Sequence, residues 1–523
     1  MNKTLNIKAT AVSLLVALAV GCTDDFEEIN TNDNALTEDQ LDATLAGPAF
    51  ASAQYAGIHN GSYSSPGVDD QGTWGIATGI ISSTFVQYMN TGYSTDRNAF
   101  GGYEARGWTR FYTVAVPALQ NAMKAAEGDE EALAILKVWK VFMYNQMTDH
   151  YGPIPYTEAG SGAEKIAYDS QESLYDDFFV LLDEANTVLS TSSEATSALF
   201  QTSDRIYAGD VESWRIFGNS LRLRLALRIS DVQPQKAQEQ AELAVTNGVM
   251  ESNDDSAFFE VSDITPNNLN MIVNSWGYFM TASMESILKG YNDPRMEVWF
   301  SETEDGEFRG QPAGGLNDQF GTTEFSAFNN NVLGNDYRET KPIEILMAAE
   351  CYLNRAEGAL NGWNMNGSAE DFYETGIELS MNQWGVDDAE DISNYIEGTS
   401  TPVVPVITDL YPDLDLLYTP PVTVPVSWAS SEAEQRNQIA VQKYLALFPE
   451  SWETWADLRR TDEQVIYPLL NTDNPDEGVG KELMKRVIYV TNEISSNGEA
   501  VDAAVELLDG PDTGGTRLWW DVE

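Results

Sequence analysis

The sequence predicts a mostly α-helical protein in which antiparallel pairs of helices form a scaffold and long irregular loops connect parts of it. Several segments repeat apolar residues at the helical period, and short loops join them without alternating strands. A chain of 523 residues, 42% of them hydrophobic, can also bury a large core. A literal repeat of about 34 residues is not found, so any tetratricopeptide-like stacking of the helix pairs is degenerate.

The chain opens with the features of a bacterial export signal. Lys3 and Lys8 precede an apolar run at residues 11–20, and this run is too short to span a bilayer. The following sequence, Leu18–Cys22, resembles a lipobox, in which cleavage occurs before a cysteine that becomes acylated. Ala19 stands where lipoboxes usually have leucine. The alternative is an ordinary signal peptide beside an accidental cysteine.

This start divides the chain into three expected parts. We expect a lipoprotein signal peptide at residues 1–21, an acylated tether at residues 22–40 that is lipidated on Cys22, and a folded binding domain at residues 41–523. Four of the six residues that follow Cys22 are acidic, which resembles the signal that exports some lipoproteins to the outer face of the outer membrane. The composition of the tether otherwise suits a solvated leash.

Charge excludes one class of partner. The formal net charge is −53, with 82 Asp and Glu against 29 Lys and Arg. Nucleic acid is therefore not a natural partner, because phosphate binding needs a basic face. Acidity of this size suits a protein that stays soluble in salty surroundings, which favours a marine bacterium as the source.

Cysteine and histidine are too scarce for most catalytic or metal chemistry. The chain has two residues of each type. Once Cys22 is acylated, Cys351 remains, and its apolar helical surroundings indicate a buried thiol. His150 precedes a Gly-Pro turn at a predicted helix end, which favours a structural role. We expect no catalytic residues, no metal site and no cofactor.

Helices are predicted wherever the apolar period is sustained. Four arginines of this acidic chain lie on a single predicted helix: Arg215, Arg222, Arg224 and Arg228. We expect them to form internal ion pairs with neighbouring helices. The clearest predicted helices are 41–55, 131–147, 174–189, 214–229 and 235–246. Six tryptophans at helical or core-like positions are expected inside: Trp108, Trp139, Trp214, Trp299, Trp452 and Trp455.

Two loop-like regions carry the candidate ligand-binding residues. Trp74 lies in a glycine-rich stretch, and Trp276 and Tyr278 follow an asparagine-rich one inside the long irregular region 251–336. Long loops in a compact domain are usually functional, and an aromatic ring in a surface loop can stack on the apolar face of a sugar. We expect these three residues to form a stacking platform, the alternative being that they plug the domain surface.

Resemblance to a known family becomes specific from Ile343 onward, and two elements upstream of it also fit. Six elements, in order along the sequence, resemble the signature elements of the SusD/RagB family of nutrient-binding outer-membrane lipoproteins. They are Tyr151–Tyr156, Leu221–Ala226, Glu344–Glu350 with its continuation to Trp363, Tyr373–Gly385, Gln442–Arg460 and Arg486–Glu493. The last departs from the family's Arg-x-x-Tyr-Pro-x-x-Glu pattern, because Val490 replaces the proline.

The resemblance implies a fold, a location and a partner. Members have a SusD-like fold, with tetratricopeptide-like helix pairs as scaffold and long loops as ligand face, and they are anchored in the outer membrane as lids on a SusC-like TonB-dependent transporter. They deliver glycans or, in some cases, peptides for nutrient uptake, and are not enzymes. With the marine interpretation, a β-1,3-glucan such as laminarin is the first ligand we expect for polysaccharide utilization.

The rival class is a glycoside hydrolase. Such an enzyme needs two carboxylates at a defined separation in a cleft, and among 82 acidic residues the sequence singles out no pair. A purely structural surface protein is a third alternative, which would lack a transporter-docking face.

Overall fold

The computed structural model describes residues 41–58, 81–90, 98–100, 102, 104–163, 165–267, 269, 273, 277–316, 320, 324–329, 340–474 and 479–522. The expected signal peptide, tether and Cys22 therefore lie outside the described residues. Within them the chain is mostly helical, as predicted. In this described part, no helix is both long and apolar enough to cross a membrane.

The first half of the described chain consists of helices and one short strand. Besides a helical turn at Ser83–Phe85 and a 3-10 turn at Asn253–Asp255, they are, in order, α1 (Ala43–Gly57), α2 (Glu104–Arg110), a π-helical turn (Phe111–Ala115), α3 (Val116–Ala125), α4 (Glu130–Tyr151), α5 (Gln171–Leu189), α6 (Val211–Arg228), α7 (Pro234–Asn247) and β1 (Ala257–Phe259).

The second half continues the helical pattern with longer connections. Its elements are α8 (Ala282–Tyr291), α9 (Arg295–Trp299), β2 (Ile343–Leu346), α10 (Ala348–Leu360), α11 (Ala369–Gln383), α12 (Ala389–Ile396), α13 (Ile407–Leu410), α14 (Glu432–Ala446), α15 (Ser451–Thr461), α16 (Thr491–Ser496) and α17 (Gly498–Leu507). The two strands pair antiparallel, with Phe259 opposite Ile343.

Local sequence signals explain where the longest helix begins and ends. Asp129 caps α4, its carboxylate accepting a hydrogen bond from Ala132 N at 2.9 Å. Gly152, at φ 86°, ends the helix in a conformation that favours glycine. The predicted helix 131–147 is thus confirmed and extends by one turn at its C-terminal end, where buried polar residues obscure the apolar period.

The helices pack as neighbouring pairs around one main core. Helix α4 packs against α5, α6 against α7, α10 against α11 and α14 against α15, while α6 also contacts α10 and α10 contacts α14. The six tryptophans predicted to be internal are all buried, none more than 4% exposed. Cys351 is a buried thiol, as predicted. His150 is buried as well, with its ring nitrogens against the backbone oxygens of Gln146 and Trp452.

Two of the four arginines of α6, Arg224 and Arg228, form the predicted internal ion pairs, whereas Arg215 pairs with the exposed Glu212 of its own helix and Arg222 lies 3.5 Å from the exposed Asp183. Arg224 contacts Glu350 on α10 through two hydrogen bonds of 2.7 and 2.6 Å. Arg228 donates to Asp149 on α4 at 3.1 Å and also contacts Glu453 on α15. Arg224, Arg228 and these three carboxylates are all buried, so α6 is tied to three other helices by charges that lie inside the protein.

Helix α8 is one of the helices that were not expected from the sequence. Helix α8 lies in the region predicted to be irregular, and its cap is Thr281, whose hydroxyl accepts from Met284 N at 3.2 Å. Its buried residues include Ser283, Glu285 and Ser286. Because these buried side chains are polar, they interrupt the apolar period on which the prediction depended.

Candidate functional site

Segments that are far apart in the sequence meet at one side of the scaffold. Asn90 and Phe279 exchange two backbone hydrogen bonds, Asn90 N to Phe279 O at 3.2 Å and Phe279 N to Asn90 O at 3.0 Å. Met280 N donates to Ser326 O at 3.0 Å. We call five hydrogen-bonded segments, residues 81–90, 277–281, 309–316, 324–329 and 464–474, together with the adjoining residues 98, 320, 407–418 and 481, the loop face.

Asparagine side chains join further segments of the loop face. Asn471 donates through Nδ2 to Gly314 O at 3.0 Å, and Asn474 donates through Nδ2 to Asn98 O at 2.7 Å. Asn90 donates through Nδ2 to Pro312 O at 2.9 Å. Loop backbone groups have no β-strand partner, and side-chain amides can form hydrogen bonds with them instead. Here the asparagine amides take the place of the hydrogen bonds of regular secondary structure.

Buried side chains of the scaffold fix segment 81–90. Gln87 adopts φ 55°, a conformation that costs free energy for a non-glycine residue. Its amide Nε2 donates to Tyr467 O at 2.5 Å, and its Oε1 accepts from Ser283 Oγ at 2.6 Å. Tyr444 on α14 donates to Val86 O at 3.0 Å. These contacts hold the strained backbone in place.

Glu285 connects α8 to two loops. The buried carboxylate accepts a hydrogen bond from Gly310 N at 2.7 Å on one oxygen and from Val406 N at 2.6 Å on the other. Burial raises the pKa of Glu285 to about 7, against the opposing effect of the two backbone donors. Segments around residues 310 and 406 therefore depend on a carboxyl group that titrates near neutral pH.

Four aromatic residues lie close together at the loop face. Phe325 is buried, and around it Phe279, Phe320 and Tyr411 are half-buried. Ring centroids are 6.1 Å apart for Phe279 and Phe325, 5.9 Å for Phe320 and Phe325, and 5.1 Å for Phe320 and Tyr411. We call these four residues the aromatic row. Three of its rings present part of their surface to solvent.

A hydrogen-bonding group lies at the end of the aromatic row. Tyr411 donates through its hydroxyl to Glu324 Oε2 at 3.0 Å. Burial, together with that carboxylate, raises the pKa of Tyr411, so the phenol stays protonated at physiological pH. Tyr418, 46% exposed, lies on the same 407–418 segment. The surface thus combines flat apolar rings with polar groups.

The loop face also contains a groove of about 340 Å³. Its lining includes Gln87, Asn98, Tyr467, Leu469 and Lys481. Backbone of two extended segments forms part of the wall, where Leu469 N donates to Lys481 O at 3.1 Å. Within the described ranges, no three His, Cys, Asp or Glu side chains are grouped so that they could hold a metal ion.

The sequence-predicted site residues have different outcomes. Trp74 and Trp276 lie outside the described residues, so their roles stay predictions, although the chain continues from them into segments 81–90 and 277–281, which meet at the loop face. The expectation for Tyr278 is corrected. Its side chain is 2% exposed and belongs to the main core, and a ring enclosed in this way offers no free face for stacking.

Sequence reasoning missed the aromatic row. Phe279 immediately follows Tyr278 and, by the alternation of an extended segment, exposes part of its ring where Tyr278 does not. Phe320 lies in the glycine-containing region that was predicted to form a binding surface, which was a usable signal. Tyr411 lies about ninety residues later, in a stretch where nothing in the sequence marked a site.

A comparison with protein-family models decides the classification. The model described as SusD-like, "Susd and RagB outer membrane lipoprotein", matches residues 28–521. The chain belongs to the SusD/RagB family. No curated protein matches this SusD-like chain.

Solved structures agree with this SusD-like assignment. A chitin-binding SusD homolog from Flavobacterium johnsoniae is 33% identical, with a TM-score of 0.81, and the match covers 91% of this chain and 99% of that one. A SusD-like protein from Bacteroides thetaiotaomicron is 27% identical with a TM-score of 0.80 and the same coverage. A SusD homolog from Bacteroides vulgatus is 26% identical with a TM-score of 0.81, covering 91% and 97%.

The sequence elements that resembled the SusD/RagB family are structural. Glu350 pairs with Arg224, Arg460 pairs with Glu357 at 2.6 Å, and buried Arg486 donates to Tyr151 O at 2.9 Å. None of these three contacts involves the loop face. The family signature therefore reports the helical scaffold.

Proposed function

We propose that this SusD-like protein is a lipid-anchored glycan-binding protein of the outer cell surface, which captures oligosaccharides or polysaccharides at the loop face and delivers them to a SusC-like TonB-dependent transporter. The observation that carries the binding proposal is the aromatic row, which lies where segments from five parts of the chain meet. Family membership and the 33% identical chitin-binding relative support it.

The chemistry of the loop face suits a sugar. A pyranose presents hydroxyl groups around its edge and C–H groups on its faces, so it needs flat apolar surfaces next to hydrogen-bonding groups. Phe279, Phe320 and Tyr411 provide such surfaces, and the Tyr411–Glu324 pair provides a polar edge. Binding sites of this kind are mostly apolar, with a few polar groups that fix orientation.

Two glycans are the first ligands to test. The acidity of the chain, with a net charge of −53, favours a marine β-1,3-glucan such as laminarin. The relative described as chitin-binding favours chitin oligosaccharides. Both are neutral β-linked polymers, which a strongly negative protein does not repel. A peptide ligand is the alternative within the same family.

We propose a non-catalytic role. Two carboxylates in and beside the loop face are already engaged, Glu285 on α8 with two backbone N–H groups and Glu324 with Tyr411. A glycoside hydrolase would need one carboxyl group to donate a proton and another to activate water or attack the sugar. Release of reducing ends during a long incubation with laminarin or chitin oligosaccharides would contradict this part of the proposal.

Isothermal titration with laminarihexaose and chitohexaose tests the binding proposal. Phe320→Ala and Tyr411→Ala should each weaken binding of the recognised glycan by roughly tenfold or more, as expected for an anchor residue. Tyr352→Ala is a matched control, since Tyr352 is a half-buried tyrosine on scaffold helix α10. Unchanged affinity in both Phe320→Ala and Tyr411→Ala would show that the aromatic row is not the site. Equal losses of affinity in these two variants and in Tyr352→Ala would show the same.

A further inference from the structure

A second cavity lies within the helical scaffold. This helical cleft has a volume of about 590 Å³ and opens between the C-terminal end of α10, helices α14 and α15, and the turn between α6 and α7. Ligand sites for small molecules typically have volumes of about 300–1,000 Å³. The cleft is therefore large enough for a mono- or disaccharide.

The floor of the helical cleft consists of four buried, alternating charges. Lys443 donates to Asp457 at 2.5 Å, and Arg460 donates to Glu357 at 2.6 and 2.8 Å and to Asp457 at 2.9 Å. Each residue is at most 7% exposed. Two cations and two carboxylates neutralise each other, so the floor offers fixed donors and acceptors without a net charge.

Lys443 has donor capacity beyond these contacts. An ammonium group carries three N–H donors, and among the described residues Lys443 makes one hydrogen bond, to Asp457. The nearest oxygen of Glu357 is 3.6 Å away, longer than a good hydrogen bond. A buried ammonium that lines a cavity needs further acceptors, and hydroxyl groups of a ligand can provide them.

The residues that line the wall and rim of the cleft limit the class of ligand that it can bind. Trp363 is half-buried and lines the cleft. Arg436 also lines the cleft and donates to Asn361 Oδ1 at 2.9 Å and to Glu432 at 2.7 Å. Rim carboxylates Asp231, Glu432 and Glu463 outnumber this single rim cation, which disfavours an anionic ligand.

We propose that the helical cleft is a second saccharide site, which takes a neutral mono- or disaccharide against the Trp363 ring. The hydroxyl groups of the saccharide bind the Lys443–Asp457 and Arg460–Glu357 pairs and the guanidinium group of Arg436 at the rim. The inference uses the ligand class of the proposed function at a different place. Glu463 lines both the helical cleft and the groove of the loop face, so these two cavities adjoin the turn that follows α15.

Titration of the purified full-length chain in detergent with laminaribiose and with N,N′-diacetylchitobiose tests the inference. Two disaccharides should bind per chain. Trp363→Ala and Arg436→Gln should each weaken disaccharide binding at the helical cleft by roughly tenfold or more. Both variants should keep the binding at the loop face, which Tyr411→Ala removes. Trp519→Ala is the matched control, because Trp519 is a half-buried tryptophan that lines neither cavity.

The outcomes separate this inference from the proposed function. One disaccharide per chain, lost in Tyr411→Ala and unchanged in Trp363→Ala and Arg436→Gln, overturns the second site and leaves the loop face intact. Binding that disappears in Trp363→Ala but persists in Tyr411→Ala supports the helical cleft and contradicts the loop face. No binding of either disaccharide overturns the second site directly. Circular dichroism checks that each variant is folded.

Discussion

Aromatic and charged side chains occur in both the helical scaffold and the loop face, but their surroundings differ. In the scaffold, Trp452 is 1% exposed, its ring lies 4.0 Å from that of His150, and Arg228 meets carboxylates from two helices. At the loop face, Phe320 and Tyr411 stay half-buried, and the hydrogen bonds are mostly made to loop backbone. Scaffold side chains thus stabilise the fold, while loop-face rings leave surface free for a ligand.

The largest effect on stability should come from the scaffold. Trp452→Ala removes an indole packed against His150 and Trp455, and the cavity should lower the free energy of unfolding by about 3–5 kcal/mol. Urea denaturation followed by circular dichroism measures this. Trp519→Ala, at a half-buried position, should cost less. Equal urea unfolding midpoints for Trp452→Ala and wild type would show that Trp452 does not stabilise the scaffold, contrary to the difference between scaffold and loop face described above.

A smaller effect is expected where scaffold and loop face join. The pKa of Glu285 is raised from 4.5 to about 7 by burial, and Lys289 and Arg309 are the nearby cations that oppose the shift. The folded state therefore holds this proton more tightly than the unfolded state. Its contribution to stability is complete below about pH 4.5 and decreases as pH rises through about 7, by up to about 3 kcal/mol.

Glu285→Gln tests this pH dependence. Glutamine keeps the shape of the side chain and does not ionise, but its amide nitrogen faces one of the two backbone donors, so one hydrogen bond is lost. Urea unfolding at pH 5 and pH 8 should show a steeper loss of stability for wild type than for the variant. Parallel losses would mean that other groups, such as Glu450, with a pKa raised to about 8 by burial, account for the change.

The smallest effect on stability is expected at Cys22. This residue precedes the folded domain predicted for residues 41–523, so Cys22→Ser should leave the unfolding midpoint unchanged. Loss of the acyl chains should nevertheless release the protein from the membrane, because no other strong membrane anchor is predicted. Cell fractionation measures the release. A variant that remained firmly in the outer-membrane fraction would show that Cys22 is not the anchor.

The scaffold could be predicted from the sequence because its signals are local. The period that begins near Ile135 and the Gly152-Pro153 stop predict most of α4. For Arg224 and Arg228 of α6 the prediction of internal ion pairs is confirmed, because a very acidic chain supplies carboxylate partners. Helix α8 was missed because Ser283 and Glu285 are buried through specific hydrogen bonds to distant loops, which no local pattern records.

The candidate site could be predicted only in part. The long irregular region correctly indicated where loops gather, but Tyr278 and Phe279 are adjacent aromatic residues of opposite exposure. Their difference depends on residues 90 and 327, which pair with the backbone of Phe279. The approach of Tyr411 to Phe320 likewise joins stretches about ninety residues apart, so it follows from the three-dimensional fold alone.

The long sequence separations at the loop face have a consequence for folding and for evolution. The contacts between Asn90 and Phe279, Gly314 and Asn471, and Asn98 and Asn474 each close a large loop of chain, which is entropically costly until the helices have brought the ends together. We expect the loop face to assemble late, after the scaffold. Because each loop is anchored separately at its ends, a loop tip can change its sequence while the helices that carry it continue to fold as before.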